Sequence, residues 1–173
     1  MPPLLTRLDA RDRALFIRVA LDANRTHPLR GFWTAITHVG GARGSIGICV
    51  LSVLLPSVTV AIAGRALVLL GLSHLVVHIV KRFAVRERPT VRLSLPALIR
   101  VPDCYSFPSG HACAAMTLAA AYAWAFPMMA LPLLMLALLV GLSRVVLGAH
   151  YPGDVVVGQG IALLITCGVL ALP

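Results

Sequence analysis

The chain has 173 residues, 59% of them hydrophobic and only 12% charged. A soluble domain of this length carries roughly twice that charged fraction, so a water-solvated globular protein is excluded. The net charge is +9, from 14 arginines and one lysine against six acids. With no soluble domain to carry nucleic acid, the basic excess points to anionic headgroups and membrane loops.

The first residues, MPPLLTRLDARDRALF, place charge too early for the apolar core of a cleavable leader. Residues 1–43 hold seven arginines and three aspartates among apolar side chains. Within them, RDRALFIRVALDAN reads as an amphipathic helix lying on the membrane. HPLRGFWTAITHVGG reads as a second short helix, with Pro28 near its start and Gly40-Gly41 ending it. Trp33, with His38 nearby, reads as an interfacial aromatic.

Charge-free stretches then set the spans, because a bilayer core needs about 20 apolar residues per helix. The first span is expected at 44–64, with Pro56 as a kink, and the second at 66–83, where Arg65 and Lys81 reach toward opposite interfaces. A polar, proline-bearing connection covers 84–108. Three further spans are expected at 109–126, 128–146 and 152–172. The fold class expected is therefore all-α: an integral-membrane helical bundle of about five transmembrane helices, preceded by an amphipathic N-terminal arm. One domain, 1–173, holds both the arm (1–43) and the bundle (44–173). Cys49, Cys104, Cys113 and Cys167 fit no zinc pattern, and no disulfide is assigned.

Five spans bring the end of the second, the start of the third, the end of the fourth and the start of the fifth to one membrane face. That face collects Lys81, Arg88, Ser109, His111, Arg144, His150 and Asp154. Three stretches carry them: KRFAVRERP, PSGH and SRVVLGAHYPGD. Ser109 can cap a helix, and Gly110 lets a ligand approach the backbone closely. Free amides and the positive end of a helix dipole make an anion site there. Lys81, Arg88 and Arg144 supply three cations, and arginine's fork matches phosphate. His150 and Asp154 are four apart, so the carboxylate can hold one imidazole nitrogen while the other attacks. His111, across the anion, can protonate a leaving alkoxide. No metal or other cofactor is needed for this chemistry.

These stretches resemble the three-part signature of the type 2 phosphatidic acid phosphatase family, which shares its site with vanadium haloperoxidases and bacterial class A acid phosphatases. The pattern is Lys, six residues, Arg-Pro; Pro-Ser-Gly-His; then Ser-Arg, five residues, His, three residues, Asp. Every defining position is matched, in order, between Lys81 and Asp154. The resemblance implies a helical bundle and a phosphohistidine intermediate on His150, with His111 as general acid. It also implies a phosphate pocket of Lys81, Arg88, Ser109, Gly110 and Arg144. Many membrane members have six spans; here the arm stands in place of the first.

Each residue has a plainer reading as an interfacial anchor, a helix cap or a packed polar group, but those readings require six coincidences in register. Arg82, Arg86, Arg92 and Arg100 read as headgroup or solvent contacts. Asp103 and Tyr105 flank the second motif, where they either tune access or are solvated. His74 and His78, one turn apart, have the spacing of a metal pair without a third ligand and read as packing near Lys81. The expected function is a metal-independent lipid phosphate phosphatase, its partners being a lipid phosphate and membrane lipids. The rival readings are a vanadium-dependent haloperoxidase-like enzyme and a non-catalytic phospholipid-binding or transport protein. Phosphatidic acid, phosphatidylglycerol phosphate, a polyprenyl phosphate or diphosphate and a lipid A phosphate all fit as substrates. The expected location is a bacterial inner membrane, and the arm's arginines predict a site facing the cytoplasm; an outward-facing site is the alternative.

Overall fold

The computed structural model describes residues 3–20, 27–95, 98–99, 101, 103 and 105–171. Its helices are α1 (Pro3–Val19), α2 (Arg30–Val39), α3 (Ala42–Ser52), α4 (Val60–Ala84), the single turn α5 (Pro89–Arg92), α6 (Gly110–Ala125), α7 (Ala130–Val146) and α8 (Pro152–Leu170). A 3-10 turn, Pro127–Met129, leads into α7. Among the described residues the only β pairing is an isolated antiparallel bridge between Glu87 and Tyr105. The all-α expectation holds, and α2 matches the second short helix read in the arm. Helix α1 begins eight residues before the first, 11–24, whose end lies outside the described residues.

Among the described residues, three helical segments are long and apolar enough to cross a membrane: Val60–Ala84, Pro127–Val146 and Pro152–Leu170. Their outward faces are oily, with Val68, Leu75 and Ile79 on α4, Leu131 and Met135 on α7, and Val156 and Leu164 on α8 all exposed. Helix α6 is different. Its sequence, GHACAAMTLAAAYAWA, is apolar all round, and Ala112 through Ala119 are buried without a break. A helix of that kind belongs at the centre of a bundle. Its many alanines let α4, α7 and α8 approach closely, as small residues do between membrane helices.

The expected first span, 44–64, is not one helix. Helix α3 ends at Ser52, residues 53–59 form a turn, and α4 begins at Val60. Pro56 lacks an N–H and cannot sit inside a helix without breaking its hydrogen bonds. The Thr59 hydroxyl accepts from the Ile62 amide at 3.3 Å and starts α4 afresh. Eleven residues of α3 reach roughly 16 Å, about half of a bilayer core. The turn carries the chain on to the far end of α6, where Val58 lies in one cluster with Ala121 and Tyr122. The expected second span likewise starts too late, since Arg65 lies inside α4.

The arm is not simply laid on the membrane. Phe16 of α1 is buried against Tyr151, Val145 and Val155, with its ring edge-on to Tyr151 at 5.5 Å. Helix α2 packs Ile36 and Val39 onto the cluster formed by α6 and α7. The Gly40 turn fits so tightly that a Cβ there would lie 2.5 Å from the His111 carbonyl oxygen. A Cβ at Gly158 would lie equally close, 2.5 Å, to the Ser109 carbonyl oxygen. Glycine at 158 therefore sets how near α8 comes to the start of α6, and so how near the third motif comes to the second. Cys49, Cys113 and Cys167 are free thiols; Cys104 lies outside the described residues.

Candidate active site

The motif residues meet where α4 ends and α6 and α8 begin. Lys81 sits in the last turn of α4. The chain then leaves the helix and pairs with the segment before α6, through the Glu87–Tyr105 bridge and the Ser106 amide, which donates to the Arg86 carbonyl at 2.7 Å. In extended backbone, residues two apart share a side. Arg86 and Arg88 both face the start of α8, and Glu87 between them is exposed. Pro89 opens α5, with its missing N–H at a helix start where none is needed. Ser109 caps α6, its hydroxyl accepting from the Ala112 amide at 3.5 Å. Its own amide donates to the Asp154 carbonyl at 2.9 Å, which ties α6 to α8.

A cavity of about 210 Å³ opens at this junction, lined among others by Lys81, Arg88, Gly110, His111, Arg144 and His150. Six of the eight residues singled out in the motifs thus line one cavity. Ser109 and Asp154 stand behind it, both fully buried. His74 and His78 also face it, and His78 Nε2 lies 3.3 Å from the Arg82 guanidinium. Among the described residues no group of three or more His, Cys, Asp or Glu side chains has a metal-binding arrangement. A larger groove, about 760 Å³, runs between α1, residues 84–87 and the start of α8, and contains neither histidine.

His150 lies in the loop between α7 and α8 and is 1% exposed. Its Nδ1 is 2.7 Å from the Ser106 carbonyl oxygen and 3.7 Å from Asp154 Oδ2. A carbonyl can only accept, so the proton is on Nδ1. Nε2 then carries a lone pair, and the Arg88 guanidinium donates to it at 3.2 Å. The expected direct hold of the carboxylate on the imidazole is mostly replaced by Ser106. Asp154 Oδ2 accepts from the Ser106 hydroxyl and from the Tyr151 amide at 2.9 Å, and Oδ1 accepts from Arg86 at 2.5 Å.

The cations are held apart by fixed partners. Arg88 is 2% exposed and donates to the Ala149 carbonyl at 2.7 Å and the Asp103 carboxylate at 2.6 Å. Lys81 donates to the other Asp103 oxygen at 2.8 Å. Asp103 therefore bridges two of the three motif cations. Partial burial pushes its carboxyl up, but Lys81 and Arg88 outweigh this and hold it below the ordinary range. Arg144 donates to the Thr37 hydroxyl of α2 at 2.7 Å. Its buried Nε has no hydrogen-bond partner among the described residues, leaving one donor free beside the cavity.

The sequence reading missed Ser106, Thr37 and Arg86. Ser106 and Thr37 carry no signal that separates them from other hydroxyl residues. Arg86 carries one, its two-residue spacing from Arg88 in a strand-like stretch before proline. Its expected role as a headgroup or solvent contact is corrected: it is an ion-pair partner of Asp9, Asp12 and Asp154. Arg92 pairs with Asp9 at 3.5 Å; Arg100 lies outside the described residues.

A match to the PAP2 superfamily covers residues 62–173, and the chain belongs to that superfamily. Among curated relatives, a lipid A 1-phosphatase of Rhizobium etli is 43% identical over 53 residues, 31% of this chain and 23% of the relative. A decaprenylphosphoryl-5-phosphoribose phosphatase of Mycobacterium tuberculosis is 33% identical over 102 residues, 57% of this chain and 52% of the relative. The chain thus spans only about a quarter to a half of the curated relatives it matches. The fold is shared with solved structures. Aquifex aeolicus LpxE superposes with a TM-score of 0.78 at 24% identity, covering 92% of this chain and 94% of that one. A transmembrane PAP2 type phosphatidylglycerolphosphate phosphatase from Bacillus subtilis gives 0.75 at 24% identity, covering 95% and 85%. With its apolar helices, this chain is a membrane protein of that fold.

Burial pushes the His150 imidazole down to about 4, against the opposing pull of Asp154 and with Arg144 and Arg88 adding to the shift. That lies below the unfolded value of about 6.5. The folded state therefore binds fewer protons across that window, and its stability falls as pH drops from about 6.5 toward 4. Nitrogen-15 histidine NMR of the ligand-free protein in detergent checks this. His150 is expected neutral, with its proton on Nδ1, at about pH 5.5. An imidazolium signal there would contradict the geometry.

Proposed function

We propose that the chain is a lipid phosphate phosphatase that hydrolyses a phosphomonoester or diphosphate through a phosphohistidine on His150. The observation that carries this reading is the state of His150: a buried, neutral imidazole whose Nε2, accepting from Arg88, lies at a cavity lined by three cations and by His111. Such a nitrogen is a nucleophile oriented by its other hydrogen bond. The phosphatase names of the relatives support the reaction class. The apolar outer faces of α4, α7 and α8 support a lipid substrate, its tail among the helices and its phosphate in the cavity.

The step follows from the placement. Arg88 turns from His150 Nε2 to the phosphate, and His111 takes up a proton with the bound anion. His150 Nε2 then attacks phosphorus, the bond to the leaving oxygen breaks, and His111 delivers that proton to the leaving oxygen. Water then attacks the phosphohistidine and gives its proton to His111. The N–P bond breaks, and the electron pair returns to Nε2. Lys81, Arg88, Arg144 and the Gly110 end of α6 hold the non-bridging oxygens, where negative charge builds up in the transition state. The phosphate displaces the Asp103 carboxylate from part of its hold on Lys81 and Arg88. No step is assigned to a metal.

Phosphate release from a panel of lipid phosphates in detergent tests the reading. His150→Ala is expected to abolish turnover. His111→Ala is expected to slow an alkoxide leaving group far more than a phenolate, which leaves without protonation. Activity is expected to survive chelator and to be inhibited by vanadate, which resembles the five-coordinate transition state. Full activity in His150→Ala, or activity lost with chelator and restored by a divalent ion, would contradict the proposal.

The proposal includes a bacterial inner membrane with the site on the cytoplasmic face. Its support is the arm: α1 packs against the start of α8 at the site end, and its arginines stay on the inner side. Impermeant-thiol labelling of intact cells, using Thr6→Cys and Pro173→Cys in a background without other cysteines, tests this. Labelling at 173 only is expected; labelling at 6 only would reverse the orientation.

A further inference from the structure

Arg86 stands outside the cavity, behind the His150–Asp154 pair. One arm of its guanidinium donates to Asp154 Oδ1 at 2.5 Å. The other donates to Asp12 Oδ2 at 2.7 Å and Asp9 Oδ1 at 3.0 Å, both on α1. Its plane lies 4.3 Å above the Tyr151 ring. The second Asp12 oxygen accepts from the Gly153 amide at 2.7 Å, in the first turn of α8. Asp9 is also paired with Arg13 at 2.7 Å and Arg92 at 3.5 Å. Three carboxylates from two elements thus meet on one guanidinium, and among the described residues Arg86 is the one cation that touches all three.

The contacts form a continuous path to the nucleophile. Asp9 and Asp12 fix Arg86, and Arg86 fixes Asp154. Asp154 holds the Ser106 hydroxyl and the Tyr151 amide, and the Ser106 carbonyl holds His150 Nδ1. Without Arg86, the buried Asp154 carboxylate faces Asp12 with no counter-charge between them, and like charges repel strongly where water is excluded. Lys81, Arg88 and Arg144 are held by other partners: Asp103, the Ala149 carbonyl and Thr37.

We infer that Arg86, locked by Asp9 and Asp12 of the N-terminal arm, is a positioning residue for His150, and that the arm is a working part of the site. This rests on the phosphatase reading above. Its mark is selective: the phosphate-holding groups are untouched, so the loss falls on the step in which His150 bonds to phosphorus.

Purified full-length protein in detergent tests it by steady-state kinetics and by equilibrium binding of vanadate and of inorganic phosphate. Arg86→Ala is expected to lower kcat by about 10- to 100-fold, the range for a misplaced reacting group, with KM nearly unchanged. Arg86→Lys keeps the charge without the fork and is expected to recover part of the loss. Asp12→Asn, a milder change that keeps the acceptor for Gly153, is expected to lower kcat in the same sense. Added to Arg86→Ala, it is expected to cost nothing further, because both act through one contact. Vanadate, which takes a bond from His150, is expected to bind Arg86→Ala more weakly by the same factor as kcat falls, while phosphate binds equally. An Arg86→Ala protein with undiminished kcat and vanadate affinity overturns this inference and leaves the phosphatase reading standing. So does a loss shared equally by vanadate and phosphate, which would mark a general structural role. If Arg86→Ala does not fold, Asp12→Asn and Arg86→Lys with wild-type kcat overturn it in the same way. A wild-type protein that neither releases phosphate nor binds vanadate overturns both.

Discussion

The carboxylate of Asp154 is fully buried in the first turn of α8, and an unpaired charge in such a place would be prohibitive. Its pairing organises the surrounding structure. One oxygen takes the Ser106 hydroxyl and the Tyr151 amide, and the other takes Arg86. Its backbone carbonyl takes the Ser109 amide. Four parts of the chain are thereby fixed to one another: the start of α8, the cap of α6, the extended segment after α4 and, through Arg86, the arm. Asp154 also sits at a helix N-terminus, where negative charge is favoured by the helix dipole.

From that anchor the site follows. The second motif is held because its serine amide is tied to Asp154. The first is held because residues 86–88 pair alongside 105–106. His150 is held because Ser106 offers its carbonyl to Nδ1 and its hydroxyl to Asp154. Arg144 is fixed from the opposite side by Thr37 of α2. The proposed chemistry needs a neutral nucleophile beside three cations, and burial with these hydrogen bonds supplies one.

The sequence made the central part of this legible for a physical reason. Residues that share an anion must lie at fixed offsets along helices and turns, so their spacing survives as a pattern. Lys81, Arg88, Gly110, His111, Arg144 and His150 do converge on one cavity. The membrane class was legible because an oily outer face shows in composition. Hydropathy alone could not show the break at 53–59, since a turn of Val, Leu, Pro, Ser and Thr carries no charge to set it apart from the helices beside it. Nor could it show that the arm is bolted to α8, because Asp9 and Asp12 look like solvated charges until Arg86 is folded between them. Ser106 and Thr37 act through single tertiary hydrogen bonds, which leave no periodic trace.

The central claim is that His150 accepts the phosphoryl group. The most direct measurement is to mix enzyme with a lipid phosphate bearing a labelled phosphoryl group, quench in alkali where phosphohistidine survives, and map the label by mass spectrometry. The account predicts a labelled chain within one turnover, with the phosphoryl group on His150. Rapid turnover with no label on the chain, or label on another residue, would contradict it.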